Sequence, residues 1–220
     1  MDQPTKSIPL KLRLVNSGPL GEEKVLKSLL GPETQVQRMT LKGFGVYRQR
    51  PEDIKNDPHL RDVQGMLDAA WGDKPFLGAY TLEPQEGAIA DVGYVDFDSP
   101  AELKAAHEHF AYWNFHDAKA PDRSIPNEER PKAWYRYKEL FRDGDISYIT
   151  EVVNVDRSPE DAEVAKSKLE PLDNNYRDEK GYQEMTDEMA VQAAQYREDL
   201  LKQKQDPELQ PVQTSGELKG

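Results

Sequence analysis

The sequence predicts an α+β domain: a mainly antiparallel sheet with helices on one face and a helical extension at its end. Strand-like and helix-like runs alternate between residues 8 and 155. The strand-like runs interleave apolar and polar residues, as a half-buried sheet requires. Most of the helix-like runs are bounded by Ser-Pro, Pro or Gly, which start and stop helices.

Ile8-Pro-Leu-Lys-Leu-Arg-Leu-Val15 is the first strand, with Ile8, Leu10, Leu12 and Leu14 inward and Lys11 and Arg13 outward. Asn16 to Pro19 turns the chain, and Glu22–Leu30 is a short helix stopped by Gly31-Pro32. Val36–Val46 is a second strand, and the polar residues 48–56 read as a loop. A helix then runs from Pro58 through Leu60, Val63, Met66, Leu67 and Ala70 to Gly72. Phe76–Tyr80 reads as a third strand, and Glu83–Gly87 as the turn that pairs Ile89–Phe97 back on it as a hairpin. Ser99 caps the next helix, Pro100 occupies its first turn, and Glu102 completes a capping box. After the polar loop Ala118–Pro131, the segment Pro131–Phe141 reads as a helix, ended by Asp143-Gly144. Ile146–Val155 is the last strand, and Ser158-Pro159-Glu160-Asp161 caps another helix. This order describes a ferredoxin-like sandwich with insertions. The expected division is a core over 1–157, a helical extension over 158–205 and a disordered tail over 206–220.

Composition narrows the function classes. A hydrophobic content of 36% beside 32% charged residues is low for a fully compact chain, so part of it should be extended. There is no Cys, which removes disulfides and thiolate metal sites and fits a reducing, intracellular compartment. That compartment is the cytoplasm, or an organelle if a presequence has been removed. No run approaches the roughly 20 apolar residues of a membrane helix. The net charge is −12, yet residues 1–56 hold ten basic and six acidic residues, about +4. Any contact with a polyanion would therefore use the N-terminal face.

The strand Ala90-Asp-Val-Gly-Tyr-Val-Asp-Phe97, leading into the Ser99-capped helix, resembles the signature strand of the RNA recognition motif. Gly93, Tyr94, Val95 and Phe97 match that pattern; its basic first residue is missing, and Val92 replaces a stacking aromatic. On the first strand, Arg13 stands where the family carries an aromatic. The resemblance covers 8–41 and 89–110, requires the strand at 146–155 to close the sheet, and leaves 43–88 as an insertion. It implies an RNA-contacting sheet face made of Lys11, Arg13, Arg38 and Tyr94, with base stacking carried by Tyr94 alone.

The remaining candidates come from residue spacing. His107, His109 and His116 share one helix, but His107 and His109 point in different directions. His109 and His116 lie roughly 10 Å apart, too far for one metal. No metal or cofactor is expected. No nucleophile elbow, phosphate loop or dinucleotide loop occurs. Trp113 and Trp134 stand in an aromatic cluster with Phe110, Tyr137 and Phe141 that reads as a small core, a partner groove or a ligand pocket. Tyr182, Met185, Met189, Tyr196 and Leu200 form a thin stripe along the C-terminal helix, suited to docking on a partner. The expectation is thus a non-enzymatic interaction subunit of a larger assembly, including a ribonucleoprotein form. Its partners would be protein subunits, RNA or a second copy of the chain. The alternative is a small-molecule enzyme or binder with a pocket between sheet and helices, using His107, His109 or Tyr148. Any buried Glu with a raised pKa would serve such an enzyme.

Overall fold

The computed structural model describes residues 11–60, 77–115, 135–153 and 157–205. They form a mixed α+β structure with one six-stranded sheet. The strands are β1 (Lys11–Asn16), β2 (Gln37–Gln49), β3 (Ala79–Phe97), β4 (Tyr135–Asp143), β5 (Ile146–Val153) and β6 (Glu170–Leu172). The helices are α1 (Glu23–Leu30), α2 (Pro51–Lys55), α3 (Pro100–Phe115), α4 (Pro159–Ser167) and α5 (Lys180–Gln205). The expected helix beyond Leu60, the loop 118–131, His116, Trp134 and the tail from 206 lie outside the described residues.

The sheet order is β4-β5-β1-β3-β2-β6. All neighbours are antiparallel except β1 and β5. That parallel pair has a simple origin. A strand returning from α3 directly beside β1 would run against it, but the chain first forms β4 at the outer edge and reverses into β5. Gly144-Asp145 makes the reversal, with Gly144 at φ +55°.

Three sequence readings are corrected here. The segment Pro131–Phe141 is not a helix: residues 135–143 form β4. Tyr-Arg-Tyr-Lys-Glu alternates as well as it spaces by threes and fours, and the Asp143-Gly144 signal closes a hairpin with β5 instead of stopping a helix. Nor do Phe76–Tyr80 and Ile89–Phe97 pair as a hairpin. Ala79–Phe97 is a single strand running antiparallel to β2. The turn-like Glu83–Gly87 becomes a bulge: Lys42 pairs with Ile89 and Phe44 with Pro84, leaving Gly43 opposite Gln85–Ala88. Gly43 and Gly87 take φ +82° and +74°, which a side chain would oppose. Third, residues after Val155 do contain a strand. β6 pairs with β2 and is fastened by Arg48, whose Nη2 lies 2.8 Å from Glu170.

Beyond the bulge the β2–β3 ribbon swings round until Phe44 meets Phe141 of β4, ring centroids 6.0 Å apart. The sheet is therefore curled, and each of its faces has a core. On the helix side, Leu14, Val95, Phe97 and Ile149 pack with Val25, Leu26 and Leu29 of α1, Phe110 of α3 and Ala193 of α5. On the concave side, Val15, Leu41, Val46, Leu82, Val92 and Tyr148 pack together, joined by Tyr176, Tyr182 and Met185.

The C-terminal helix is corrected as well. Expected as an extension carrying a partner surface, α5 is instead built into both cores, with Tyr182 2% and Met185 0% exposed. The Tyr182 hydroxyl donates to Glu22 at 2.9 Å, and Arg177 pairs with the same carboxylate at 2.9 Å. A thin apolar stripe suffices because α5 lies along α1, whose own apolar residues are numerous.

Both Ser-Pro helix starts form as expected. Ser99 Oγ accepts from the Glu102 backbone N–H at 3.2 Å, and Ser158 Oγ accepts from Asp161 N–H at 3.1 Å. Gly93 has a packing role. A β-carbon there would stand 1.8 Å from the carbonyl oxygen of Gly21, so only glycine lets the two backbones approach. Gly93→Ala should therefore destabilise the fold at or above the upper end of the roughly 1–3 kcal/mol usual for overpacking. Urea unfolding checks this, and an unchanged midpoint would show that the approach is not needed.

Candidate functional site

Ser147, Ile149 and Glu151 alternate along β5 with Tyr148 and Thr150, which points the first three at the helix side. A glutamate is thereby carried into an apolar core. Glu151 is 8% exposed, and its Oε2 has no hydrogen-bond partner among the described residues. Burial disfavours the carboxylate and pushes Glu151 up to about 8, so it is largely a neutral acid at pH 7.

Tyr137 of β4 is the cross-strand partner of Glu151. Its hydroxyl lies 3.0 Å from Nδ1 of His107 on α3, and the two rings meet edge to face at 5.4 Å. Burial, reinforced by the charge of Glu151, raises the Tyr137 phenol well above its ordinary range. Burial lowers His107, keeping its imidazole neutral near pH 7. Three neutral, proton-exchanging groups are thus brought together by β5, β4 and the capped helix α3. A buried acid with one unused oxygen beside a phenol that is itself held by an imidazole has the parts of an acid–base site.

The residues expected to face RNA divide between the two sides. Lys11, Arg13 and Tyr94 meet on the concave side. Arg13 donates from Nε and Nη2 to both oxygens of Asp96, at 2.7 and 2.8 Å, and its guanidinium lies 4.1 Å over the Tyr94 ring. Lys11 is 3.5 Å from Asp96 and 3.6 Å from Asp98. Burial alone would raise the Asp96 carboxyl, but Arg13 and Lys11 outweigh it and hold Asp96 below the usual carboxylate range. The positive charge on this face is therefore matched by acids, and one side of the Tyr94 ring is occupied. Arg38 does not join them. It pairs across the sheet with Gly93, one residue from Tyr94, and that single step reverses the face. Arg38 Nη1 instead lies 3.4 Å from Glu22.

Among the expected catalytic candidates, His107 lies in the Glu151 cluster, and His109 is half-buried on the same helix. Tyr148 is on the concave side, stacked on Phe141 at 4.3 Å, with the sheet between it and His107. Tyr137 and Phe141, expected on one helix face, point to opposite sides of β4 because a bulge falls between Glu139 and Phe141. Trp113 lies in α3. Met189, Tyr196 and Leu200 are half-buried, and the first two pack on the cores.

Glu151 was missed in the sequence, although alternation along Ile146–Val153 already set it on the side of Ile149, and Tyr137 was named only as a member of the aromatic cluster. Among the described residues no group of His, Asp and Glu could hold a metal ion, and no helix is long and apolar enough to cross a membrane. No protein-family model matches this chain, and neither a curated protein nor a solved structure is significantly similar to it, so its functional reading rests on this geometry.

Proposed function

We propose that this chain binds a small molecule at Glu151, Tyr137 and His107, between the sheet and α3, with acid–base chemistry available there. The observation that carries the reading is Glu151: a buried acid with an unpartnered oxygen, placed directly across the ladder from a phenol anchored by an imidazole. A carboxyl kept only for packing would be expected to satisfy both of its oxygens, since an unpaired buried polar atom costs about 1–3 kcal/mol. We read the strand series β5-β1-β3-β2 as a ferredoxin-like sheet whose last strand has been displaced outward by a hairpin.

A fragment screen by NMR at neutral pH tests the reading. Fragments that bind should shift the Tyr137 and His107 signals together, and Glu151→Leu should weaken the response to polar fragments. A library that leaves both side chains unmoved would remove the proposal.

A second reading is the interaction subunit, favoured by β4, a nine-residue strand at the edge of the sheet. Long edge strands offer backbone groups to another chain. Its ribonucleoprotein form has less support, because Asp96 and Asp98 already engage Lys11 and Arg13. The mass of the native species decides: a monomer with no co-purifying chain would end this reading.

A further inference from the structure

Resting on the small-molecule reading above, we infer that the site takes an uncharged ligand through a carbonyl oxygen, with the Glu151 carboxyl and the Tyr137 hydroxyl as two convergent donors. Cross-strand partners on one face hold their β-carbons about 4.5–5.5 Å apart. The two side chains start from such positions, so their ends can meet on one acceptor atom. The polar surroundings exclude the other ligand classes. Neither residue is paired with a lysine or arginine among the described residues, so an anionic ligand would enter without a countercharge. Phe110 and Ile149 belong to the same buried core, and a cation brought there would require a desolvated ion pair with Glu151. A hydrocarbon would leave Oε2 of Glu151 as unpaired as it is now. A neutral acceptor oxygen satisfies the site at least cost.

His107 is a positioning residue in this arrangement. With the proton on Nδ1, it donates to the Tyr137 oxygen and leaves the phenolic proton free for the ligand; the bond of 3.0 Å also fixes the ring. The raised proton affinity of Glu151 keeps its acidic hydrogen in place near pH 7, so the carboxyl is a donor there. A buried acid held neutral beside a phenol strengthens its hold on a carbonyl oxygen as negative charge develops on it, which suits carbonyl compounds that react through an enolate-like state.

Three probes of similar shape separate the possibilities: acetophenone, ethylbenzene and 1-phenylethylamine, each titrated into the full chain near pH 7 while the Tyr137 and His107 signals are followed. Acetophenone should bind at least roughly tenfold more tightly than ethylbenzene, the worth of one or two net hydrogen bonds. Tyr137→Phe and Glu151→Leu should each reduce that preference, whereas Glu151→Gln, which keeps a donor, should retain part of it. The carbonyl carbon of 13C-labelled acetophenone should also move downfield on binding to the unmodified protein, a readout that needs no variant to fold. Equal affinity for ketone and hydrocarbon, tighter binding of the amine, or an unmoved carbonyl signal would overturn the carbonyl assignment while leaving a binding site in place. If none of the three probes perturbs the cluster, the site reading itself falls.

Discussion

Ending the chain before Lys180 should unfold the protein, because α5 completes both cores. Tyr182 and Met185 are buried on the concave side and Ala193 on the helix side. Each large apolar side chain withdrawn from water contributes about 1.5–3 kcal/mol. Losing Tyr182 and Met185 together, with Ala193 and the half-buried Met189 and Tyr196, removes an amount comparable to the roughly 5–15 kcal/mol that holds a domain folded. The truncation also takes the Tyr182 hydroxyl from Glu22, which keeps Arg177 and Arg38 as its partners. In the intact chain, Tyr182→Ala alone should cost about 3–5 kcal/mol, the range for an aromatic core cavity. Circular dichroism with urea titration checks both. A truncated chain that unfolds cooperatively at the unmodified midpoint would return α5 to the role of an appendage.

Stability should fall as the pH rises from about 4.5 to about 8, and Glu151→Gln should remove most of that fall. A glutamate is half-ionised near pH 4.3 in an unfolded chain, but burial raises Glu151 to about 8 in the folded one. Between those values the folded state binds the extra proton, so raising the pH favours unfolding. Below the lower value the effect is absent, and above the upper one it is complete, at roughly 5 kcal/mol. Other groups act in the opposite sense. His107 is lowered by burial, so it favours the folded state as the pH rises through the ordinary imidazole range. Asp57 and Asp96 are lowered as well. For Asp57, burial is outweighed by Arg157, at 2.6 Å, and by the His59 backbone N–H. Their contribution is present at neutral pH and lost as the pH falls below the ordinary carboxylate range. The difference between the unmodified protein and Glu151→Gln isolates Glu151, measured as chemical unfolding at pH 5, 7 and 9. Parallel curves would mean that Glu151 ionises normally.

Local signals in the sequence located β1, α1, the capped starts of α3 and α4, and α5 as a helix, because capping and periodicity act within a few residues. The same signals misled where a distant partner decides. Residues 135–141 satisfy both a helical and an alternating pattern, and only pairing with β5 selects the strand. Glu83–Gly87 has the chemistry of a reversal, yet β2 is long enough to pair on both sides of it, so it becomes a bulge. The alternation that set Arg13 and Tyr94 on one face was legible. That Arg38 faces the other way depends on register, which the sequence of β2 does not contain. For the site, His107 and the aromatic Tyr137 could be singled out, but the helical reading hid the place of Tyr137 across from Glu151. Glu151 was hidden because acidic residues in strands usually face water, and nothing local says that this one is buried.

The most direct test of the account is the titration of the Glu151 side-chain carboxyl carbon by 13C NMR in the folded protein, assigned by comparison with Glu151→Gln. The account predicts a midpoint near 8, with the Tyr137 and His107 signals responding to the same event. A midpoint near the ordinary glutamate value, with Tyr137 and His107 silent, would contradict it.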